Sequence, residues 1–146
     1  MAVELTQIPV IDWPAFGQAR TTLGNNFPRI LGYFREDGTK AVLEIEDAMR
    51  AGHAGTMIIP AEKVKSGAFE LGAQSLGILA EEIEFGARDC LETRIPPTVL
   101  LELVIQLRPL FEKTLEQLDR ESNPLMDRRA AQRFPNINSY VTRRAS

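Results

Sequence analysis

Residues 60–73, which read PAEKVKSGAFELGA, have the residue spacing of an amphipathic helix. Small and aliphatic residues recur in it every three or four positions, at Ala61, Val64, Ala68 and Leu71. That spacing places them on one face of an α-helix. Pro60 suits the first turn of such a helix, and Gly72 suits its end. The stretch is therefore predicted to be an amphipathic helix that buries its aliphatic face.

The opposite face of this predicted helix combines charged, small and aromatic side chains. Helical spacing brings four of them together, at Glu62, Lys65, Ser66 and Phe69. Small residues such as Ser66 and Gly67 let another protein's backbone approach, and an exposed aromatic ring is a common interface anchor. A partner-binding surface and a plain Glu62–Lys65 surface pair, worth about a few tenths of a kcal/mol, are equally good interpretations of the spacing alone.

Further helical segments flank this stretch on both sides. Asp12 and Pro14 are typical of a helix start and predict a short helix over about residues 13–22. Apolar residues at helical spacing then continue over three longer segments, residues 27–49, 76–91 and 100–118. Sustained alternation of apolar and polar residues is missing from the sequence. The chain is therefore predicted to be all-α, an antiparallel up-down four-helix bundle with the short N-terminal helix as a lid.

Histidine and cysteine each occur once, which limits the chemistry open to the chain. A single cysteine excludes a disulfide framework, and a single histidine excludes multi-histidine metal sites. Cys90 falls on the apolar stripe of the fourth predicted helix and is expected to be a buried small hydrophobe. His53 follows Gly52 at a helix junction and is expected to be a solvated loop or cap residue. No cofactor and no metal are expected.

The fourth predicted helix also carries a run of acidic residues. Three of them lie close together, at Glu81, Glu82 and Glu84. A carboxylate metal site of the ferritin type would need Glu-x-x-His repeats, which the sequence lacks. We therefore expect these three glutamates, with Arg88 and Asp89, to form a solvated face.

Charge is unevenly distributed along the chain. Residues 1–121 hold 12 basic and 19 acidic side chains, whereas residues 122–146 hold five arginines and one aspartate. The tail over residues 122–146 is expected to be solvated and partly disordered, although five arginines could also contact nucleic acid or an acidic surface. The acidic body disfavours nucleic acid as a partner.

No apolar run of 18 residues occurs, so no membrane span is predicted. The first residues, MAVE, do not resemble the start of a signal peptide, and a cytoplasmic location is expected.

Residues 61–73 resemble the signature helix of histidine-containing phosphotransfer (HPt) domains, which are four-helix bundles that relay phosphoryl groups in two-component signalling. The family pattern is approximately Ala-His-x-Leu-Lys-[Gly/Ser]-[Ser/Gly]-Ala-x-x-x-Gly-Ala, and this chain reads AEKVKSGAFELGA. Flanking segments are also similar to the family, at residues 11–13, 23–24, 27–37 and 76–84. The resemblance covers about residues 9–120, which implies an HPt-like domain over residues 9–121 and leaves out the arginine-rich tail.

The resemblance implies a role for several residues of the signature. Lys65 matches the lysine that supports the phosphoryl group, Ser66 and Gly67 match the small residues beneath the docking partner, and Gly72 matches a glycine that permits close packing. The candidate partner-binding residues are then Glu62, Lys65, Ser66, Gly67, Phe69 and Gly72. The implied partner is the receiver domain of a response regulator, a histidine kinase or both.

Glu62 stands where the family has its phosphorylated histidine. A carboxylate lacks the imidazole nitrogen that forms the phosphoramidate, so the chain is predicted to carry no phosphate there and not to be an enzyme. Lys65 can at most neutralise Glu62, and His53 lies outside the motif. Glu62 is either natural, in a degenerate adaptor or competitor, or an engineered replacement that imitates or abolishes phosphorylation. An interaction or nucleic-acid-binding module that uses the tail is the alternative function.

Overall fold

Five α-helices make up most of the part of the chain that the computed structural model describes, residues 8–122. They are α1 (Trp13–Leu23), α2 (Phe27–Ala51), α3 (Ile58–Glu70), α4 (Gln74–Thr93) and α5 (Leu101–Ser122). Short 3₁₀ turns precede three of them, at Gly24–Asn26, Gly55–Met57 and Pro97–Leu100. Residues 8–122 contain no strand, so the all-α prediction is confirmed. Apart from Ser122, the predicted tail lies outside the described residues.

The ends of α1 and α2 follow from local sequence. Asp12 caps α1, because its carboxylate accepts a hydrogen bond from the N–H of Ala15 at 3.2 Å. Gly52 ends α2 in the left-handed conformation, with a φ of 75°, which glycine adopts without a Cβ clash. The sequence predicts a helix start at Asp12 and a helix junction at Gly52, and both are confirmed.

Helix α3 packs between α2 and α4 and places its aliphatic face in the core. Ala61, Val64 and Ala68 are buried, as the spacing predicts. Burial of this face drives the helix into its place, since each apolar Å² removed from water contributes roughly 25 cal/mol. The opposite face of α3 is left at the surface, where the candidate site lies.

Helix α5 joins the other helices through its first half. The ring of Phe111 packs 5.6 Å from the ring of Phe34 on α2, measured between centroids. Further along the same two helices, the guanidinium of Arg108 lies 2.7 Å from the carboxylate of Glu46. These contacts fix the first half of α5 beside α2.

The chain divides into two units, Met1–Thr114 and Leu115–Ser146, with the boundary inside α5. The candidate site lies wholly within the first unit. In the second unit, Arg120 pairs with Glu116 one helical turn earlier, at 3.2 Å. Among the described helices, none is long and apolar enough to cross a membrane.

Candidate docking surface around Glu62

Glu62 lies one turn into α3 and is exposed to solvent. Ser66 follows one turn later and is also exposed, while Gly67 beside it is half-buried. These three residues lie on the side of α3 that adjoins α2, where they line one groove. Three of the predicted partner-binding residues are therefore brought together.

Gly67 sets the depth of this groove. A Cβ atom at this position would lie 2.8 Å from Cδ1 of Phe34 on α2, which is closer than ordinary contact allows. The missing side chain lets the backbone of α3 approach the Phe34 ring, and the ring becomes part of the groove wall. The groove has a volume of about 390 Å³, which is enough for one or two side chains.

The wall of the groove that α2 forms, to which Phe34 belongs, was not predicted. Tyr33 and Asp37 line it, together with Ile30. Ile30, Tyr33 and Asp37 follow one another at spacings of three and four residues, so helical periodicity does place them on one face of α2. No sequence feature indicates that this face meets α3 beside Glu62, because that depends on how the two helices pack.

Carboxylates outnumber basic groups around the groove. Asp37, Glu62 and Glu70 contribute negative charge to its lining, whereas Lys63 contributes the one positive charge among the described lining residues. The groove therefore combines an aromatic and aliphatic surface with an acidic rim.

Lys65 lies on the side of α3 that faces α4, and its ion pair is with α4 rather than with Glu62. Its Nζ lies 2.7 Å from Oε1 of Glu84 on α4. Glu84 is also bound by Arg88, whose guanidinium is 2.9 Å from Oε2. The Glu62–Lys65 surface pair, one of the two interpretations of the spacing, is therefore not formed, because the stronger attraction of Lys65 is to a carboxylate removed from water.

Glu84 was predicted to lie on the solvated face of α4, and this prediction is wrong. Only 4% of its side chain is exposed. Burial by itself raises the pKa of Glu84, but the hydrogen bonds and charges of Lys65 and Arg88 outweigh burial and hold its pKa below the usual range. The hydrogen bond to Glu84 in turn raises the pKa of Lys65. The pair is thus a charged link between α3 and α4.

The Phe69 side chain also packs against α4 rather than lining the groove. It keeps 38% of its surface exposed, but its ring packs on Gly77, where a Cβ atom would lie 2.4 Å from the ring. Nearby, the ammonium of Lys65 lies 5.4 Å from the ring centroid of the exposed Phe85. Lys65 and Phe69 therefore belong to the α4 side of α3, apart from Glu62 and Ser66.

Gly72 is buried and is therefore not part of an exposed binding surface. It has a φ of 80°, and its carbonyl accepts a hydrogen bond from the N–H of Asp12 at 2.8 Å. A Cβ atom there would lie 2.8 Å from the backbone nitrogen of Phe16. Gly72 thus acts by letting the end of α3 approach the start of α1.

His53 and Cys90 lie away from Glu62. His53 is exposed beyond the end of α2 and lines a separate pocket with Glu44 and Thr56. Cys90 is buried, as predicted, and burial raises the pKa of its thiol. Within residues 8–122, no group of three histidine, cysteine or acidic residues is placed to hold a metal ion.

The arrangement around Glu62 is suited to binding a partner. Glu62 and Ser66 are exposed, so both can accept hydrogen bonds from a partner and Glu62 can form an ion pair. The groove beside them can receive a side chain.

Comparison of the chain with models of protein families, with curated proteins and with solved structures finds no match.

Proposed function

We propose that this chain is an HPt-like docking protein of two-component signalling, which binds receiver domains of response regulators, a histidine kinase or both. The observation that carries the proposal is the surface of α3. Glu62 and Ser66 are exposed one turn apart, and Gly67 beside them lies close to α2. These residues stand in the order of the family signature, in which residue 62 occupies the acceptor position.

The proposal includes the arrangement of the helices as an antiparallel up-down bundle. The connections between α2 and α3, α3 and α4, and α4 and α5 are short, and short connections favour antiparallel neighbours. The contacts of Phe34 with Phe111 and of Glu46 with Arg108 support α2 and α5 as a further adjacent pair. Two-component relays act in the cytoplasm, and we propose that location for this chain.

Phosphate is not relayed through residue 62 in this proposal. The carboxylate of Glu62 has no nitrogen to form a phosphoramidate, and Lys65, which would steady a phosphoryl group, is held by Glu84 at 2.7 Å. The chain is then an adaptor or a competitor for receiver domains rather than an enzyme. If Glu62 is an engineered replacement, it imitates the phosphorylated histidine poorly, with about one negative charge where a phosphoryl group carries about two.

A binding titration tests the docking function. The purified chain is titrated with receiver and kinase domains, and we expect saturable binding to at least one of them. Ser66→Arg should weaken that binding, because it places a bulky side chain on the proposed surface. Thr56→Arg, an equally large change at an exposed residue near His53, should leave it unchanged. Absence of saturable binding to every domain tested would overturn the proposal.

Restoring the acceptor tests the inactivity of Glu62. When a phosphorylated receiver is supplied, Glu62→His should become labelled and the unaltered chain should not. His53→Gln in the Glu62→His background should leave the labelling unchanged. Labelling of the unaltered chain would contradict the proposal and would point to His53 instead.

The arginine-rich tail favours a second candidate, nucleic-acid binding. It rests on the five arginines in residues 122–146. Binding of this kind should weaken steeply as salt is raised and should be lost when the chain is truncated after residue 122. The excess of acidic side chains over residues 1–121 makes this the weaker candidate.

A further inference from the structure

We infer that the groove between α2 and α3 binds a segment of the partner in which an apolar side chain is flanked by lysine or arginine. This inference rests on the proposed docking function and goes beyond it, because it names the chemistry that the partner must present.

The shape of the groove favours an apolar side chain. Phe34 and Ile30 line it, and Gly67 contributes backbone where another residue would contribute bulk. Tyr33, an exposed aromatic residue, forms part of its wall. A buried aliphatic or aromatic anchor in such a pocket is the usual source of binding energy at an interface.

The charge around the groove favours basic neighbours for that anchor. Asp37, Glu62 and Glu70 lie around an opening that has Lys63 as its basic residue. The other lysine of α3, Lys65, is 2.7 Å from Glu84 on the far side of the helix. Because that ammonium is engaged by a buried carboxylate, it adds little positive potential to the groove. A partner segment with basic side chains is complementary to this rim, and an acidic segment would be repelled.

Two synthetic peptides test the inference with the intact chain. Both carry the same leucine pattern, but one has flanking arginines and the other flanking glutamates. Each is titrated into the ¹⁵N-labelled chain. We expect the arginine peptide to shift the amide signals of Tyr33, Ser66 and Gly67, with an affinity that falls as salt is raised. The glutamate peptide should cause no such shifts.

Charge reversal at one wall of the groove provides the matched comparison. Asp37→Lys should weaken binding of the arginine peptide by about threefold or more, the effect expected for an exposed ion pair that becomes repulsive. Glu44→Lys makes the same charge change on the same helix, but at a residue that lines the separate pocket near His53, and it should have no effect.

Several outcomes would overturn the inference. They are equal binding of the two peptides, no binding of either, signal shifts outside the groove, or equal effects of Asp37→Lys and Glu44→Lys. The inference and the docking function can fail separately. If a receiver domain binds the Asp37→Lys variant with full affinity, the inference about the groove is wrong but the proposed docking function stands. An arginine peptide that binds while no receiver or kinase domain does so overturns the docking function alone.

Discussion

Replacing Lys65 with methionine should destabilise the fold, because it removes one of two cations that neutralise a buried carboxylate. Removing one partner of a fully buried ion pair costs about 3–5 kcal/mol. Here the side chain of Lys65 is 21% exposed, and Arg88 still lies 2.9 Å from Glu84. We therefore expect a smaller loss for Lys65→Met, about 2–3 kcal/mol at neutral pH.

The reverse substitution, Glu84→Gln, should cost less than Lys65→Met. The freed ammonium of Lys65 is close enough to the surface to be hydrated, whereas the carboxylate of Glu84 is 4% exposed and cannot be. A loss of about 0.5–1.5 kcal/mol is expected, typical of one hydrogen bond, because the amide that replaces the carboxylate keeps its hydrogen-bonding atoms. This order distinguishes a buried carboxylate that requires cations from an ordinary surface pair.

Acid should reduce the penalty of Lys65→Met. In the folded protein the pKa of Glu84 is lowered, so its contribution to stability is present above the unfolded pKa and is lost as pH falls through the folded pKa. Without Lys65, burial acts on Glu84 with less opposition and raises its pKa. The variant then binds a proton more readily than the parent chain, and the difference in stability between them shrinks on acidification.

Urea unfolding followed by far-ultraviolet circular dichroism at neutral and acidic pH measures these differences. Arg50→Met is the matched control, because Arg50 pairs with Asp47 at 3.3 Å and both side chains are largely exposed. It should change stability by less than about 1 kcal/mol, with little dependence on pH. The reasoning is refuted if Lys65→Met costs no more than Arg50→Met, or if its penalty is the same at both pH values.

Three further outcomes follow from close contacts and burial. Gly72→Ala and Gly52→Ala each place a Cβ at positive φ, which costs about 1–2 kcal/mol. In urea unfolding Gly72→Ala should cost about 1–3 kcal/mol more than Gly52→Ala, because the new Cβ at position 72 meets the backbone of α1 whereas the new Cβ at position 52 meets open space. Gly77→Ala should cost less than Gly72→Ala, because the Phe69 ring beneath it can turn toward solvent; equal costs would contradict this. Cys90 should react slowly with iodoacetamide in the native chain and quickly in urea, and rapid native alkylation would show that the thiol is accessible.

The helices were predictable because their signals are local. Ala61, Val64 and Ala68 are spaced three or four residues apart, and in a helix this spacing places them on one face, which is buried. Asp12 and Gly52 likewise mark helix ends through their own side chain and their own backbone freedom. Each of these predictions needs no knowledge of which other segment packs nearby.

The environment of Glu84 was not predictable in the same way. Its neighbour Ile83 is fully buried, and Glu84 lies at the edge of that apolar stripe, where helical spacing allows either burial or exposure. The choice depends on Lys65, which comes from another helix and lies at the right height to meet the carboxylate. The same limit applies to Asp37. Helical spacing predicts which face of α2 carries it, but not that this face lies across a groove from α3.

Residues 61–73 include some side chains that make contacts within the fold and others that are exposed at the surface. Lys65 and Gly72 match the family pattern, yet Lys65 binds Glu84 and Gly72 accommodates the start of α1. Contacts within the fold therefore account for both residues, whether or not phosphate is ever transferred. Glu62 and Ser66 are exposed and have no comparable part in the core, so under the proposed docking function their identity bears on what the surface binds. It follows that substitutions at Glu62 and Ser66 test function, whereas substitutions at Lys65 and Gly72 test the fold that presents them.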